Sequence, residues 1–107
     1  MRLSDQTTVG AALQLFCLAT LEKVSKAFPG SEVDTNGMAS AKLLIPAATG
    51  WDYIYMGFQH DGALVVQHQK EFAPGRPQII LGPFKPDKYV KLSVFFLAEK
   101  IVALVRS

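Results

Sequence analysis

The chain has 107 residues, of which half are apolar and 19% are charged, and its formal net charge is +2. This length predicts a single domain, residues 1–107, with a core large enough to be stable without a metal or a disulfide. The composition excludes an extended disordered chain, and the small net charge makes nucleic acid an unlikely partner. The single cysteine, Cys17, excludes an internal disulfide and is typical of the reducing cytoplasm.

Residues 6–28 predict a first helix that ends at Pro29 and Gly30. At 100° per residue, one broad apolar face contains Val9, Leu13, Phe16, Cys17, Leu21, Val24 and Phe28. The opposite side also carries Leu15 and Leu18, which a solvated face does not need. The apolar run inside this helix is too short to cross about 30 Å of hydrocarbon, so no membrane partner is predicted.

Residues 39–45 predict a strand, and residues 51–72 predict a β-hairpin. A two-residue turn at Asp61 and Gly62 would mix apolar and amide side chains on one surface. A three-residue turn, residues 60–62, instead pairs apolar positions across the two strands and gives one coherent apolar face. The predicted pairs are Phe58 with Leu64, Met56 with Val66, and Ile54 with His68. The opposite face then carries Trp51, Tyr53, Tyr55, Gln67 and Gln69.

The last third of the chain predicts a strand at residues 78–81, a proline-containing loop at residues 82–87 and a helix at residues 88–106. A strand is the alternative for the start of that helix, because Val90, Leu92, Val94 and Phe96 alternate. The helix interpretation is favoured, and it leaves apolar residues on two sides of the helix.

Together these elements predict an α+β two-layer sandwich in the order α-β-β-β-β-α. Its sheet is mainly antiparallel, with both helices on one face. The surplus apolar residues of the helices predict a homodimer interface made of Leu15, Leu18, Leu92, Phe95 and Phe96. Burial of these residues between the two helices of one chain is the alternative.

The residues that could carry chemistry do not converge in the predicted fold. His60 lies in the turn and His68 on the core side, so no metal site is predicted. Burial makes Cys17 a poor nucleophile, and the carboxylates of the hairpin form no acid and base pair. The sequence therefore predicts no catalytic residue and no cofactor.

The hairpin face with Trp51, Tyr53, Tyr55, Gln67 and Gln69 is the predicted binding site. Rigid aromatic side chains beside adaptable amides are typical of binding surfaces. A homodimer contact and a plain outer sheet surface are the alternatives for this face, since tyrosine and tryptophan also favour strands. The leading interpretation is a small non-enzymatic module that self-associates and presents this face to a protein or a small-molecule partner. The alternative is a small-ligand carrier or an enzyme with a pocket that uses Tyr53, Tyr55 and His68.

Overall fold

The computed structural model describes residues 3–37, 39–89 and 91–106. Within them it contains helix α1 (Leu3–Ser25), strands β1 (Glu32–Thr35), β2 (Ala41–Pro46), β3 (Trp51–Phe58), β4 (Leu64–Gln69) and β5 (Gln78–Phe84), and helices α2 (Pro86–Tyr89) and α3 (Val94–Arg106). The strands form one antiparallel sheet in the order β1-β2-β3-β4-β5. The predicted α+β fold class is confirmed.

The β3–β4 hairpin has the predicted register. Phe58 pairs with Leu64, Met56 with Val66, and Ile54 with His68. The turn between them closes with a hydrogen bond of 2.9 Å from the Gln59 amide to the Ala63 carbonyl. Gly62 takes a φ of +83°, a left-handed conformation that costs glycine little and other residues more.

The core lies between one face of the sheet and the two longer helices. α1 packs on β1, β2 and β3, and α3 packs on α1 and β5. The largest buried side chains include Leu21 and Val24 of α1, Leu43, Ile54, Met56, Leu64 and Val66 of the sheet, and Leu97 and Ile101 of α3. Val9 and Val90, which the sequence assigns to apolar helix faces, lie outside the described side chains.

The sheet contains two edge segments that the sequence assigns to loops. β1 lies in a segment that the sequence predicts as a loop. Only Val33 of its four residues packs on the core, so the segment has no alternation of apolar residues that would predict a strand. β5 continues through Pro83 to Phe84, where the prolines predict a loop. Proline is tolerated there because an edge strand has one side without a partner strand, so a missing N–H need not break the ladder.

The second helical segment is divided rather than continuous. α2 ends at Tyr89, residues 91–93 are not helical, and α3 begins at Val94. The Ser93 hydroxyl accepts a hydrogen bond of 3.0 Å from the Phe96 amide, which is the contact of an N-cap residue. The predicted helix is therefore correct for residues 88–89 and for α3, whereas residues 86–87 of α2 lie in the predicted loop and residues 91–93 form a break that periodicity did not reveal.

The five residues predicted as a dimer interface divide into two groups. Leu18 and Leu92 are partly buried against the chain's own core. Leu15, Phe95 and Phe96 remain exposed on the helical layer, with 68% of Phe95 accessible to solvent. Their burial in a dimer stays a prediction. No helix in the described ranges is long and apolar enough to span a membrane.

We expect Ser93→Ala to lower the free energy of unfolding by about 1 kcal/mol, because the Phe96 amide loses its capping acceptor. Urea denaturation followed by circular dichroism measures the change. Ser93→Asp is the matched control, since its carboxylate can also cap the helix. Equal stability of the alanine variant and the parent would contradict the assigned cap.

Candidate functional site

One face of the sheet points away from both α1 and α3, and we call it the open face. Because side chains alternate along a strand, the described members of this face follow from the register. They are Glu32 and Asp34 of β1, Lys42, Leu44 and Pro46 of β2, Trp51, Tyr53, Tyr55 and Gly57 of β3, Val65, Gln67 and Gln69 of β4, and Ile79 of β5. The five residues of the predicted binding site all lie on this face.

Two rows of side chains cross the strands at the centre of the open face. Tyr55 lies between Lys42 on one side and Gln67 on the other. Tyr53 lies between Leu44 and Gln69. The tyrosines therefore occupy the middle strand of the surface, with a lysine and a leucine on one side and two glutamines on the other.

The rings of Tyr53 and Tyr55 stack on each other. Their centroids are 5.9 Å apart and their planes differ by 12°. This separation follows from the strand itself, because residues two apart on one face are about 6.6 Å from each other along the strand. The two stacked rings form a short aromatic ladder on the open face.

The surroundings of Tyr55 act on its acidity. Burial raises the pKa of Tyr55 above its ordinary value of 10.0, and the neighbouring Tyr53 raises it further through charge repulsion when both are ionised. The phenol is therefore neutral at physiological pH. It acts there as a hydrogen-bond donor and acceptor, not as a base.

The end of the open face near Trp51 is held by polar contacts between loops. The Gln69 side-chain amide donates a hydrogen bond of 3.0 Å to the Ala73 carbonyl. Glu71 accepts hydrogen bonds from the amide and the hydroxyl of Thr49, at 2.8 and 2.6 Å. The two hydrogen bonds between Thr49 and Glu71 join the β2–β3 connection to the β4–β5 connection. Trp51 is 37% exposed beside them.

The other end of the open face contains a shallow depression of about 260 Å³. Tyr55, Gln59 and Gln67 contribute polar side chains to its lining. Gly57 forms part of its floor, and a Cβ atom there would lie only 2.7 Å from the Ser40 Cβ atom. Glycine at this position lets β3 lie close to Ser40, the residue just before β2.

The charged groups lie on one side of the open face, and Lys42, beside Tyr55, is the one nearest to its centre. Glu32 and Asp34 belong to the edge strand β1, and Lys42 lies beside them on β2. The remaining members, from Leu44 across to Ile79, are aromatic, aliphatic or amide side chains. A neutral centre with charges toward the rim is the arrangement found in protein interfaces.

His68 belongs to the opposite side of the sheet. It is only 5% exposed, and its Nε2 atom lies 3.4 Å from Asp52 Oδ2. The other Asp52 oxygen accepts a hydrogen bond of 2.7 Å from the Glu71 amide. The structure therefore does not bring His68 together with Tyr53 and Tyr55, which the alternative pocket requires.

The remaining candidates for chemistry are separated from one another. Burial raises the pKa of the Cys17 thiol to about 12, so the reactive thiolate is scarce at neutral pH. His60 lies in the hairpin turn, apart from His68. Among the residues that the structure describes, no group of three or more histidine, cysteine or acidic side chains could hold a metal ion.

Sequence reasoning assigned neither Leu44 nor Ile79 to the site. Both join the open face through their pairing with neighbours, Leu44 with Tyr53 and Ile79 with Gln67. The alternation of residues 41–45 carried a signal for Leu44, because its neighbours Leu43 and Ile45 are the buried ones. Ile79 had no such signal, since residues 79–81 are all apolar.

We expect Tyr55 to ionise at a higher pH than an ordinary tyrosine, above pH 10, because its pKa is raised. Tyr53→Phe should lower that pKa by removing the like charge, while burial keeps it above the ordinary value. The fold disfavours the ionised form, so stability should fall as the pH rises above 10.0.

NMR titration of carbon-13-labelled tyrosine measures the Tyr55 pKa in both proteins. Tyr55→Phe identifies the resonance. Ionisation of Tyr55 at or below its ordinary value, or a pKa unchanged by Tyr53→Phe, would contradict the described surroundings.

Comparison of the chain with protein-family models, with curated proteins and with solved structures found no match. A functional conclusion therefore has to come from the residues of the open face and the contacts that they can make.

Proposed function

We propose that this chain is a non-enzymatic interaction module that docks a second copy of itself on the open face. The observation that carries the proposal is the stacked pair Tyr53 and Tyr55 at the centre of a sheet face that α1 and α3 leave uncovered. Tyrosine and tryptophan are enriched among the residues that dominate binding energy at interfaces. Trp51 lies on the same strand and adds to that surface.

The chemistry of the open face supports a copy of the chain as the occupant. A two-fold symmetric contact uses the same surface on both partners, so the surface has to be complementary to itself. Phenol and amide groups meet that requirement because each can both donate and accept hydrogen bonds. A centre with charges of one sign would repel its own copy.

The edges of the sheet are poorly suited to docking, which favours the face. β1 has four residues, two of which are acidic and exposed. β5 contains Pro83, which has no N–H to offer to an added strand. Short, charged and proline-containing edge strands resist pairing with another chain.

The helical layer is the less favoured surface for self-association. Two of its five predicted interface residues, Leu18 and Leu92, already pack on the chain's own core. The Lys23 ammonium group lies 4.0 Å from the centroid of the Phe95 ring and covers part of it. The interaction is assigned to the cytoplasm, in keeping with the single cysteine.

We expect the parent protein to have about twice the 11.7 kDa mass of one chain in light scattering at micromolar concentration. The double variant Tyr53→Ala and Tyr55→Ala should weaken the dimer at least about tenfold, because it removes both central rings. Its circular dichroism spectrum should match the parent's, since both side chains lie outside the core.

Phe96→Ala is the matched control, because it truncates an exposed aromatic ring on the helical layer. A parent protein that is monomeric would overturn the proposal, and so would a double variant that folds and dimerises like the parent. Loss of the dimer in Phe96→Ala alone would assign the contact to the helical layer instead. Capture of a different protein or a small molecule by a monomeric parent would also replace the second copy as the occupant.

A further inference from the structure

A groove of about 500 Å³ runs between α1 and α3, on the side of the molecule opposite the open face. Its floor consists of Phe95, Ala98, Val102 and Ala103, all from α3. These four side chains are hydrocarbon only and offer no hydrogen-bond donor or acceptor. The two alanines leave a trough beside the larger Phe95 ring. An occupant of this trough therefore needs an apolar body.

The rim of the groove is positively charged. Lys23 comes from α1, Lys26 from the turn directly after it and Arg106 from α3, while Glu99 is the one acidic side chain among the described lining residues. Three cations against one anion leave an excess of positive charge around an apolar floor. The occupant that complements this arrangement carries a negative group at one end of its apolar body.

We infer that the groove binds a single-chain anionic amphiphile, a long-chain carboxylate. The alkyl chain lies along the floor, and the carboxylate is held at the end where Lys26 and Arg106 meet. This inference does not depend on the proposed function, because it concerns the helical layer and not the open face.

The contacts of the three cations decide which end holds the carboxylate. The Lys23 ammonium group is positioned over the Phe95 ring, at 4.0 Å from its centroid. One Arg106 nitrogen donates a hydrogen bond of 3.0 Å to the Ala27 carbonyl, which fixes the guanidinium group beside the end of α1. The guanidinium also lies 5.5 Å from the centroid of the Phe28 ring and keeps further N–H donors. Lys26, which precedes Ala27 in the chain, is exposed and lines the same groove. Two cationic donors are thus available at that end.

The dimensions of the groove fit one alkyl chain. At about 1.5 Å per residue, the floor from Phe95 to Ala103 extends about 12 Å along the helix axis. That length accommodates an extended chain of about ten carbon atoms, and the volume falls within the range of small-molecule sites. A folded protein partner would need a contact of about 1,200 Å² or more, which a trough of this size does not supply.

The test uses dodecanoate below its micelle concentration, with calorimetry for affinity and amide NMR for location. We expect saturable binding at one molecule per chain, with shifts centred on Ala98, Val102 and Ala103. Lys26→Glu should weaken binding about tenfold, because an attractive charge becomes repulsive at the head-group end. Lys100→Glu is the matched control on α3 outside the groove lining, and it should change the affinity less than about twofold.

Ala103→Glu and Ala103→Gln separate charge from filling at an exposed position of the floor. Both should reduce binding because they occupy the trough, and the glutamate variant should reduce it more. Dodecyltrimethylammonium, which has the same chain and a cationic head group, should not bind.

Three results would overturn the inference. The first is equal binding of the cationic amphiphile. The second is unchanged affinity of a folded Lys26→Glu variant. The third is evidence that a second copy of the chain fills the groove. That evidence would be amide shifts at Ala98 and Ala103 that depend on protein concentration in the absence of ligand and that disappear in the Ala103→Glu variant. The Tyr53 and Tyr55 double variant should bind dodecanoate like the parent, so failure of the sheet-face proposal would be recognised separately.

Discussion

The structure depends on the coupling between the hairpin turn and the two-residue period of strands β3 and β4. Gly62 takes the left-handed conformation that a three-residue turn requires, and this sets Met56 opposite Val66 and Ile54 opposite His68. A shift by one residue would exchange the two faces of both strands. The same turn therefore determines which side chains of β3 and β4 are buried in the core and which lie on the open face.

Both longer helices lie on one side because the central strands offer a mainly apolar surface only there, with His68 and Asp52 as the polar residues at one end of it. Burial of Leu43, Ile54, Met56 and Val66 against α1 and α3 removes apolar area from water, which is the main favourable contribution to folding. The other side carries tyrosines and glutamines, whose polar ends favour contact with water or with a partner. A two-layer molecule with one open sheet face follows from this difference.

The polar residues at the open end of the hairpin hold neighbouring strand ends and connections together. Asp52 contacts His68 with one oxygen and accepts a hydrogen bond from the Glu71 amide with the other. Glu71 in turn binds Thr49 in the neighbouring connection. This chain of contacts fixes the relative positions of β2, β3 and β4 at that end, and it holds the strand that carries Trp51 and Tyr53.

The sequence by itself determined the hairpin register, the side of β3 on which Trp51, Tyr53 and Tyr55 lie, and the partnership of two helices with one sheet face. These features follow from the local periodicity of apolar residues and from one turn, and both depend only on residues that are close together in the sequence. The tertiary structure alone decided that residues 32–35 form an edge strand, that β5 continues through Pro83, and that Ser93 begins a new helix. It also decided which surplus apolar residues are covered: Leu18 and Leu92 meet the core, while Phe95 stays exposed and lines a groove. Edge pairing and burial depend on what lies beside a residue in space, and neighbours distant in sequence leave no periodic signal in the chain.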